Sequence, residues 1–356
     1  MIQKELINID WINQVAKSNQ NADKILVEKV IHALLLLEGL AQIKMEFVFK
    51  GGTSLMLLFN STKRLSIDID IIVENTYENL DEILETVVKQ QGFNRMELQN
   101  RSHLSNIEKA HYKFFYTPFH KTAKEEEYIL LDILFEKIAY SKIMDTPIVS
   151  TFIPTTEQAT LVKVPCFEDL LGDKLTAFAP HTTGIPYYKG ENSMSMEIIK
   201  QLYDIGNLFD VCIDLEIVRK TFKNFAKTEL IYRNAQHQTE NDVLDDIFQT
   251  ALCITSRGIL GKGDFEELQL GIKRITGFIF SETYHIDKVI VSASKVAYLS
   301  VLLVSNTTIF GKFENPLQMK DWLIENPEYN KLNKLKKSNP EAFFYWFKTI
   351  DLIDKM

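Results

Sequence analysis

Cysteine is scarce: three in 356 residues (Cys166, Cys212 and Cys253), far apart, with no CxxC spacing and no histidine beside them. That pattern excludes a disulfide framework and a zinc site, and it points to a reducing compartment, the cytoplasm. Long apolar runs are missing as well. A run such as Ala33 to Leu37 falls far short of the ~20 residues that span a membrane, and Met1 to Lys17 carries charges and no apolar core of signal-peptide length. A cytoplasmic protein with no membrane partner is therefore expected. Catalytic signatures of other classes are also lacking. The seven histidines (His32, His103, His111, His120, His181, His237, His285) show no HxH or HExxH spacing, and there is no GxSxG elbow and no Walker A run. Nor is there an excess of positive charge: 40 Lys+Arg stand against 48 Asp+Glu, a net charge of -8 with a pI near 5.5. Coating nucleic acid by net charge is excluded, whereas a local basic groove is not.

What is present describes an ordinary globular chain, 46% hydrophobic and 25% charged. Phe (23) and Tyr (13) far outnumber the 14 Gly and 9 Pro in structural weight, which favours regular elements with short connections. The length predicts about two domains, at roughly 150 residues each. Helix and strand patterns alternate in the first half: a helix over 21–42 capped by Asn21 or Asp23, a strand over 47–49, a helix over 53–59, a polar link over 60–64 and a strand over 66–74. A helix over 80–90, strands over 112–116 and 128–135 that pair antiparallel, a weaker strand over 147–153 and a helix over 167–178 follow. Beyond the Gly- and Pro-containing stretch 180–192 the pattern turns helical: 195–211, 214–228, 240–257, 264–278, 285–304, 315–325 and 340–353. The expected organisation is an α+β domain over 1–190 and a helical bundle over 191–356, with helix 195–211 the bundle's first and the one that could instead belong with the first domain.

The strongest constellation runs from Lys50 to Asp70, KGGTSLMLLFNSTKRLSIDID. A strand ends in Gly51-Gly52, the hydroxyl pair Thr53-Ser54 opens a helix, and a strand with Asp68-x-Asp70 follows. Glycines let a backbone approach phosphate closely, and N–H groups at a helix start favour anions. Two carboxylates two residues apart on a strand share a face and can bind a hard cation or a pair of them. A Gly-Gly alone is more often a turn, and an Asp-x-Asp alone is more often solvated strand surface; in this order and spacing they favour function. Two cations ~4 Å apart need a third shared carboxylate. Asp132 is the candidate, set in the apolar strand YILLDILFE, where an unpaired charge is costly.

Gly51-Gly52-Thr53-Ser54, then Arg64-x-Ser66-x-Asp68-x-Asp70, then the apolar strand with Asp132, resembles the nucleotidyltransferase fold of the DNA polymerase β type. More closely it resembles the AbiEii/AbiGii-type nucleotidyltransferase toxins of abortive-infection and toxin–antitoxin systems. The segments 170–186 (LLGDKLTAFAPHTTGIP) and 197–210 (EIIKQLYDIGNLFD) resemble that family too, so the likeness spans roughly residues 30–212. It implies a mixed sheet flanked by helices, followed by the helical bundle. Lys174 sits on the apolar side of its helix, where a lysine must snorkel or meet an anion; the resemblance implies contact with nucleotide phosphate. Lys200 and Asp204 lie four apart on one helix, a spacing that by itself reads as an exposed ion pair worth ~0.2–0.5 kcal/mol. In the resemblance they match the Lys and second Asp of a Lys-Asp-x-x-Asp-type motif, with Gln201 replacing the first Asp. An Arg frequent after the Lys174-type lysine is replaced by Phe178-Ala179-Pro180-His181.

The implied chemistry is two-metal nucleotidyl transfer. Asp68, Asp70 and Asp132 would hold two Mg²⁺, and Gly51, Gly52, Thr53, Ser54, Arg64 and Ser66 would bind the NTP. Asp132 could serve as general base, with Lys174, Lys200 and Asp204 in support. The implied acceptor is an RNA 3′ end, tRNA first, and the implied partner is a cognate antitoxin. RNA would need a groove between the domains, with the helical half as its other wall or as an antitoxin docking surface. Two alternatives stay open at this point: transfer to a protein or small-molecule hydroxyl, and a catalytically silent protein that binds a nucleotide or a partner. The cluster Lys331, Lys334, Lys336, Lys337 is a basic patch that reads more often as solvated surface, and Cys212 and Cys253 read as helix core.

Overall fold

The computed structural model describes residues 1–43, 45–59, 63–99, 109–305, 307 and 310–356; the link positions Asn60 to Thr62 and His103 lie outside them. The chain divides into two compact units, one of residues 1–166 with 277–283, the other of 167–276 with 284–356. The division therefore falls at Cys166, ahead of the boundary expected near residue 190.

The first unit opens with α1 (Ile9–Ser18) and α2 (Lys24–Gln42), the latter capped by Asp23, whose carboxylate accepts from the backbone N–H of Ile25 and Leu26. Then come β1 (Val48–Lys50), α3 (Gly51–Leu58), β2 (Ile69–Val73), α4 (Leu80–Gln91), β3 (Arg95–Leu98), β4 (Lys109–Tyr116) and β5 (Glu127–Phe135). These strands make one mixed sheet in the order β1-β2-β5-β4-β3, in which only β2 and β5 run parallel. A separate two-stranded ribbon, β6 (Ile143–Pro147) and β7 (Leu161–Pro165), packs against β1.

The centre of one sheet face is buried: Phe49, Ile69, Ile71, Ile129, Leu131, Ile133, Tyr112 and Phe114 all lie on it. Helices α2 and α4 cover this face. His32 of α2 stacks on Tyr116 at 3.6 Å between ring centres, and Asp81 of α4 accepts a hydrogen bond from the Tyr112 hydroxyl at 2.7 Å. Burial of these apolar side chains, each worth about 1.5–3 kcal/mol, fixes the register and so decides which residues face the other way.

Several element boundaries differ from the sequence reading. Residues 66–68 precede β2 instead of belonging to it, because β1 ends at Lys50, opposite Asp70, and offers no ladder beyond that point. β3 was not expected, and the weak strand placed at 147–153 lies earlier, at β6, where β7 pairs with it.

In the second unit, α5 (Phe167–Ala177) is followed by a short ribbon, β8 (Tyr188–Lys189) and β9 (Asn192–Ser193), then α6 (Ser195–Val211), α7 (Leu215–Tyr232), α8 (Glu240–Ser256) and α9 (Phe265–Ile275). The chain ends with α10 (Ile286–Val304), α11 (Leu335–Ser338) and α12 (Pro340–Ile353). A helix at 315–325 is replaced by a short 3-10 turn, Pro316–Met319. α10 is buried along most of its length and packs on α6, α8 and α12. α5 packs on α7 so closely that a β-carbon at Gly172 would come within 2.8 Å of the Val218 carbonyl, which ties α5 to the helical unit. Lys336 donates to the carbonyls of Lys320 and Trp322, so it serves the fold rather than the surface patch. No helix among the described residues is long and apolar enough to cross a membrane.

The stretch 180–192 is folded over the end of α5 rather than acting as a linker. Thr183 donates to the Thr176 carbonyl, and the buried Asp246 of α8 accepts from the His181 backbone N–H, from His181 Nδ1 (2.8 Å) and from the Thr182 hydroxyl. The bond to Asp246 raises the His181 pKa above its ordinary 6.5. The protonated ring is thus favoured in the folded state, so the pair's stabilisation is complete below pH 6.5 and is lost as pH rises through the raised value. Thermal melts between pH 5 and 9 are expected to show this decline, and His181→Asn is expected to flatten it.

Candidate active site

The sheet register assembles a row of four polar side chains on its half-open face. Lys50 of β1 stands opposite Asp70 of β2, Asp70 opposite Asp132 of β5, and Asp132 opposite His111 of β4. Register partners share a face, so two carboxylates lie side by side, bracketed by a lysine and a histidine. Adjacent like charges repel, and the flanking groups offset that cost. Asp132 is not the buried charge its apolar strand suggested. β5 alternates, with Leu131 and Ile133 buried beneath the row while the Asp132 side chain is 33% exposed. Its Oδ1 accepts from His111 Nδ1 at 2.6 Å. An ionised carboxylate only accepts, so Nδ1 of that ring carries the proton.

The glycine loop abuts this row. Gly51 has φ +79, and a β-carbon there would overlap the Asp70 carboxylate; only glycine meets both demands. A β-carbon on Gly52 would lie 2.5 Å from Arg64 Nη2 and 2.6 Å from Ser66 Oγ, so guanidinium and hydroxyl lie over the start of α3. Lys50, at the N-cap of α3, makes no side-chain capping bond, which leaves the cluster at the helix head to backbone N–H groups. Thr53 and Ser54 are fully buried: Thr53 Oγ1 donates to the Asp68 carbonyl at 2.6 Å and Ser54 Oγ to the Gly51 carbonyl at 2.8 Å. Their hydroxyl protons shape the loop, contrary to the expectation that one of them meets phosphate. Arg64 is buried and donates to the Leu65 carbonyl. The segment 277–283 clamps this link: the Leu65 N–H donates to the Phe278 carbonyl, and Ser281 Oγ to the Lys63 carbonyl at 2.7 Å.

For a divalent cation the donor set is of the right kind, hard carboxylate oxygens. Asp70 and Asp132 occupy neighbouring positions on one face, with Asp68 two residues before Asp70. Among the described residues no three His, Cys, Asp or Glu side chains form a ready-made metal cage. Carboxylate oxygens of this kind suit a hard divalent cation that also takes phosphate oxygens and water.

In the helical unit, Lys174 of α5 and Asp204 of α6 form a buried ion pair, Nζ to Oδ2 2.8 Å, with side chains 7% and 3% exposed. Lys174 also donates to Gln201 Oε1 at 3.2 Å. Gln201, which departs from the expected Asp, thus accepts from the lysine without adding a second charge. Asp204 is therefore not on an exposed polar face, and Lys200 pairs with Glu197 at 2.9 Å. Sequence reasoning missed His111 and Lys50. Both stand on strands, but their alignment with the aspartates is a matter of register, which residue spacing within one strand does not carry.

Gly51→Ala is expected to cost about 1–2 kcal/mol for the left-handed backbone alone and to displace the Asp70 carboxylate, lowering Tm and activity together. Lys174→Met or Asp204→Leu alone is expected to lose about 3–5 kcal/mol in denaturant melts, with the double variant recovering most of that loss.

No curated protein matches the sequence. Among solved structures, JHP933 from Helicobacter pylori aligns at 14% identity over 80% of this chain and 94% of its own, with a TM-score of 0.42. A second H. pylori chain, provisionally assigned as a nucleotidyltransferase, aligns at 16% identity over 79% and 94% respectively, TM-score 0.40. Residues 35–269 match the family described as nucleotidyl transferase AbiEii toxin of type IV toxin–antitoxin systems. Such membership implies an NTP substrate, a divalent metal and an antitoxin partner. With well over half of its length matched, the chain belongs to the AbiEii nucleotidyltransferase toxin family.

Proposed function

We propose that this protein transfers a nucleoside monophosphate from an NTP to an RNA 3′ end, tRNA being the leading acceptor, and thereby arrests growth in the cytoplasm. The observation that supports this best is the contact between the Gly51 turn and Asp70: it joins the helix head suited to phosphate with the paired carboxylates. In this reading the backbone N–H groups at the start of α3, with Arg64 and Ser66 above Gly52, hold the triphosphate. Asp68, Asp70 and Asp132 would hold two Mg²⁺, which when bound would offset phosphate charge and acidify the attacking hydroxyl. Asp132 accepts the proton of the acceptor hydroxyl. That oxygen attacks the α-phosphorus, and pyrophosphate leaves. Lys174 and Lys200 keep a proposed role in meeting phosphate, with Asp204 orienting Lys174 rather than touching the reacting atoms. Three buried free cysteines suit a reducing compartment.

The test is incubation with each α-labelled NTP, Mg²⁺, total RNA and cell lysate. Label is expected in tRNA, and Asp68→Ala or Asp70→Ala is expected to lower it by more than about a hundredfold, as when transition-state charge stabilisation is removed. Label in protein or a small molecule would redirect the acceptor. Absence of transfer to any acceptor would sink the catalytic reading, as would growth arrest that persists in Asp70→Ala.

A further inference from the structure

The row on the sheet contains two titratable side chains that the proposed chemistry does not use, Lys50 and His111, and of these His111 donates to Asp132. We infer that His111 is a positioning residue for the transfer reaction. It binds one oxygen of Asp132 and so leaves the other, Oδ2, aimed for the reaction. This rests on the reading that Asp132 acts in catalysis.

Three observations carry it. First, His111 and Asp132 are direct cross-strand partners in the β4–β5 ladder, so their β-carbons are fixed by the register and not by loop conformation. Second, the bond is short for an N–H···O contact, 2.6 Å from Nδ1 to Oδ1, and its acceptor is a carboxylate, the kind that makes the stronger hydrogen bonds. Third, the two side chains differ in freedom. His111 is 11% exposed and Asp132 33% exposed, so the ring is held by its surroundings while the carboxylate is otherwise free to change rotamer. A partly exposed aspartate has a broad χ2 well; one strong donor on one oxygen narrows it. Among the described residues Asp132 Oδ2 takes no hydrogen bond, and it lies on the strand position beside Asp70. His111 thus divides the labour of a single carboxylate: Oδ1 is anchored to the sheet, and Oδ2 serves the hydroxyl or the cation. A histidine that merely balanced the charge of the two aspartates would act through its charge, whereas a positioning donor acts through Nδ1–H alone. Asparagine, whose amide nitrogen can take the place of Nδ1 without a charge, separates the two.

His111→Ala, His111→Asn and Asp132→Asn are compared for kcat and KM with the acceptor that the labelling assay identifies. Mn²⁺ affinity is followed by electron paramagnetic resonance in the presence of a non-hydrolysable NTP analogue, a readout that needs no acceptor. His111→Ala is expected to lower kcat and weaken Mn²⁺ binding by about 10–100-fold each, with KM for NTP nearly unchanged and the melting curve retained. His111→Asn is expected to recover most of both. If His111→Ala keeps wild-type kcat and Mn²⁺ affinity while Asp132→Asn is inactive, the inference about His111 is overturned and the catalytic reading of Asp132 survives. Full activity in Asp132→Asn overturns that reading itself. Equal loss in the alanine and asparagine variants assigns His111 to charge balance and also overturns the inference.

Discussion

The pairing of β2 with neighbours on both sides is the constraint on which the rest of the molecule depends. Held antiparallel to β1 and parallel to β5, β2 has no freedom to slip, because a shift of one residue would carry Ile69, Ile71 and Val73 out of the core. The hydrophobic face thereby sets the positions of Asp70 and Asp132 on the opposite face. The placement of two like charges side by side, unfavourable in itself, is upheld by apolar burial beneath them. Lys50 at one end of the row and the hydrogen bond from His111 to Asp132 at the other reduce the local cost, and Gly51 supplies the turn that brings a helix head against it.

A second layer of order comes from contacts distant in sequence. Phe278 and Ser281 bind the link that leads into Arg64, and Arg64 in turn lies over Gly52. In the helical unit, Lys174, Gln201 and Asp204 form one buried polar cluster between α5 and α6, and Asp246 gathers three donors from the turn after α5. Polar groups removed from water need such full pairing, and these clusters account for residues that would otherwise look misplaced among leucines and isoleucines.

The glycine turn and the α+β order were legible because each depends on local spacing along one strand or turn, whereas the strand read for Asp68 and Asp70 together begins only after Asp68. Helices such as α2, α6 and α10 were legible from periodicity for the same reason. What escaped was cross-strand. The sequence alternation of YILLDILF marked Asp132 as unusual but suggested burial, and only the alternation of closed and half-open faces shows that it is partly solvated. His111 looked ordinary because its meaning comes from a partner 21 residues away. Thr53 and Ser54 fit a phosphate-binding pattern by type, yet their hydroxyls are consumed by carbonyls of the same turn. The compact units divide at Cys166 rather than near residue 190, and 180–192, with the composition of a linker or long loop, has side chains anchored to α5 and α8.

The clamp formed by residues 277–283 has a consequence in time. The first unit is not continuous in the chain: its last piece is separated from residue 166 by five helices, α5 to α9. During synthesis from the N-terminus, the sheet with its aspartate row emerges long before the segment that fastens the Arg64 link. A nascent chain therefore carries the carboxylates before the segment that fastens the Arg64 link over Gly52 has been made. The order of translation itself delays the moment at which a potentially harmful enzyme can be complete.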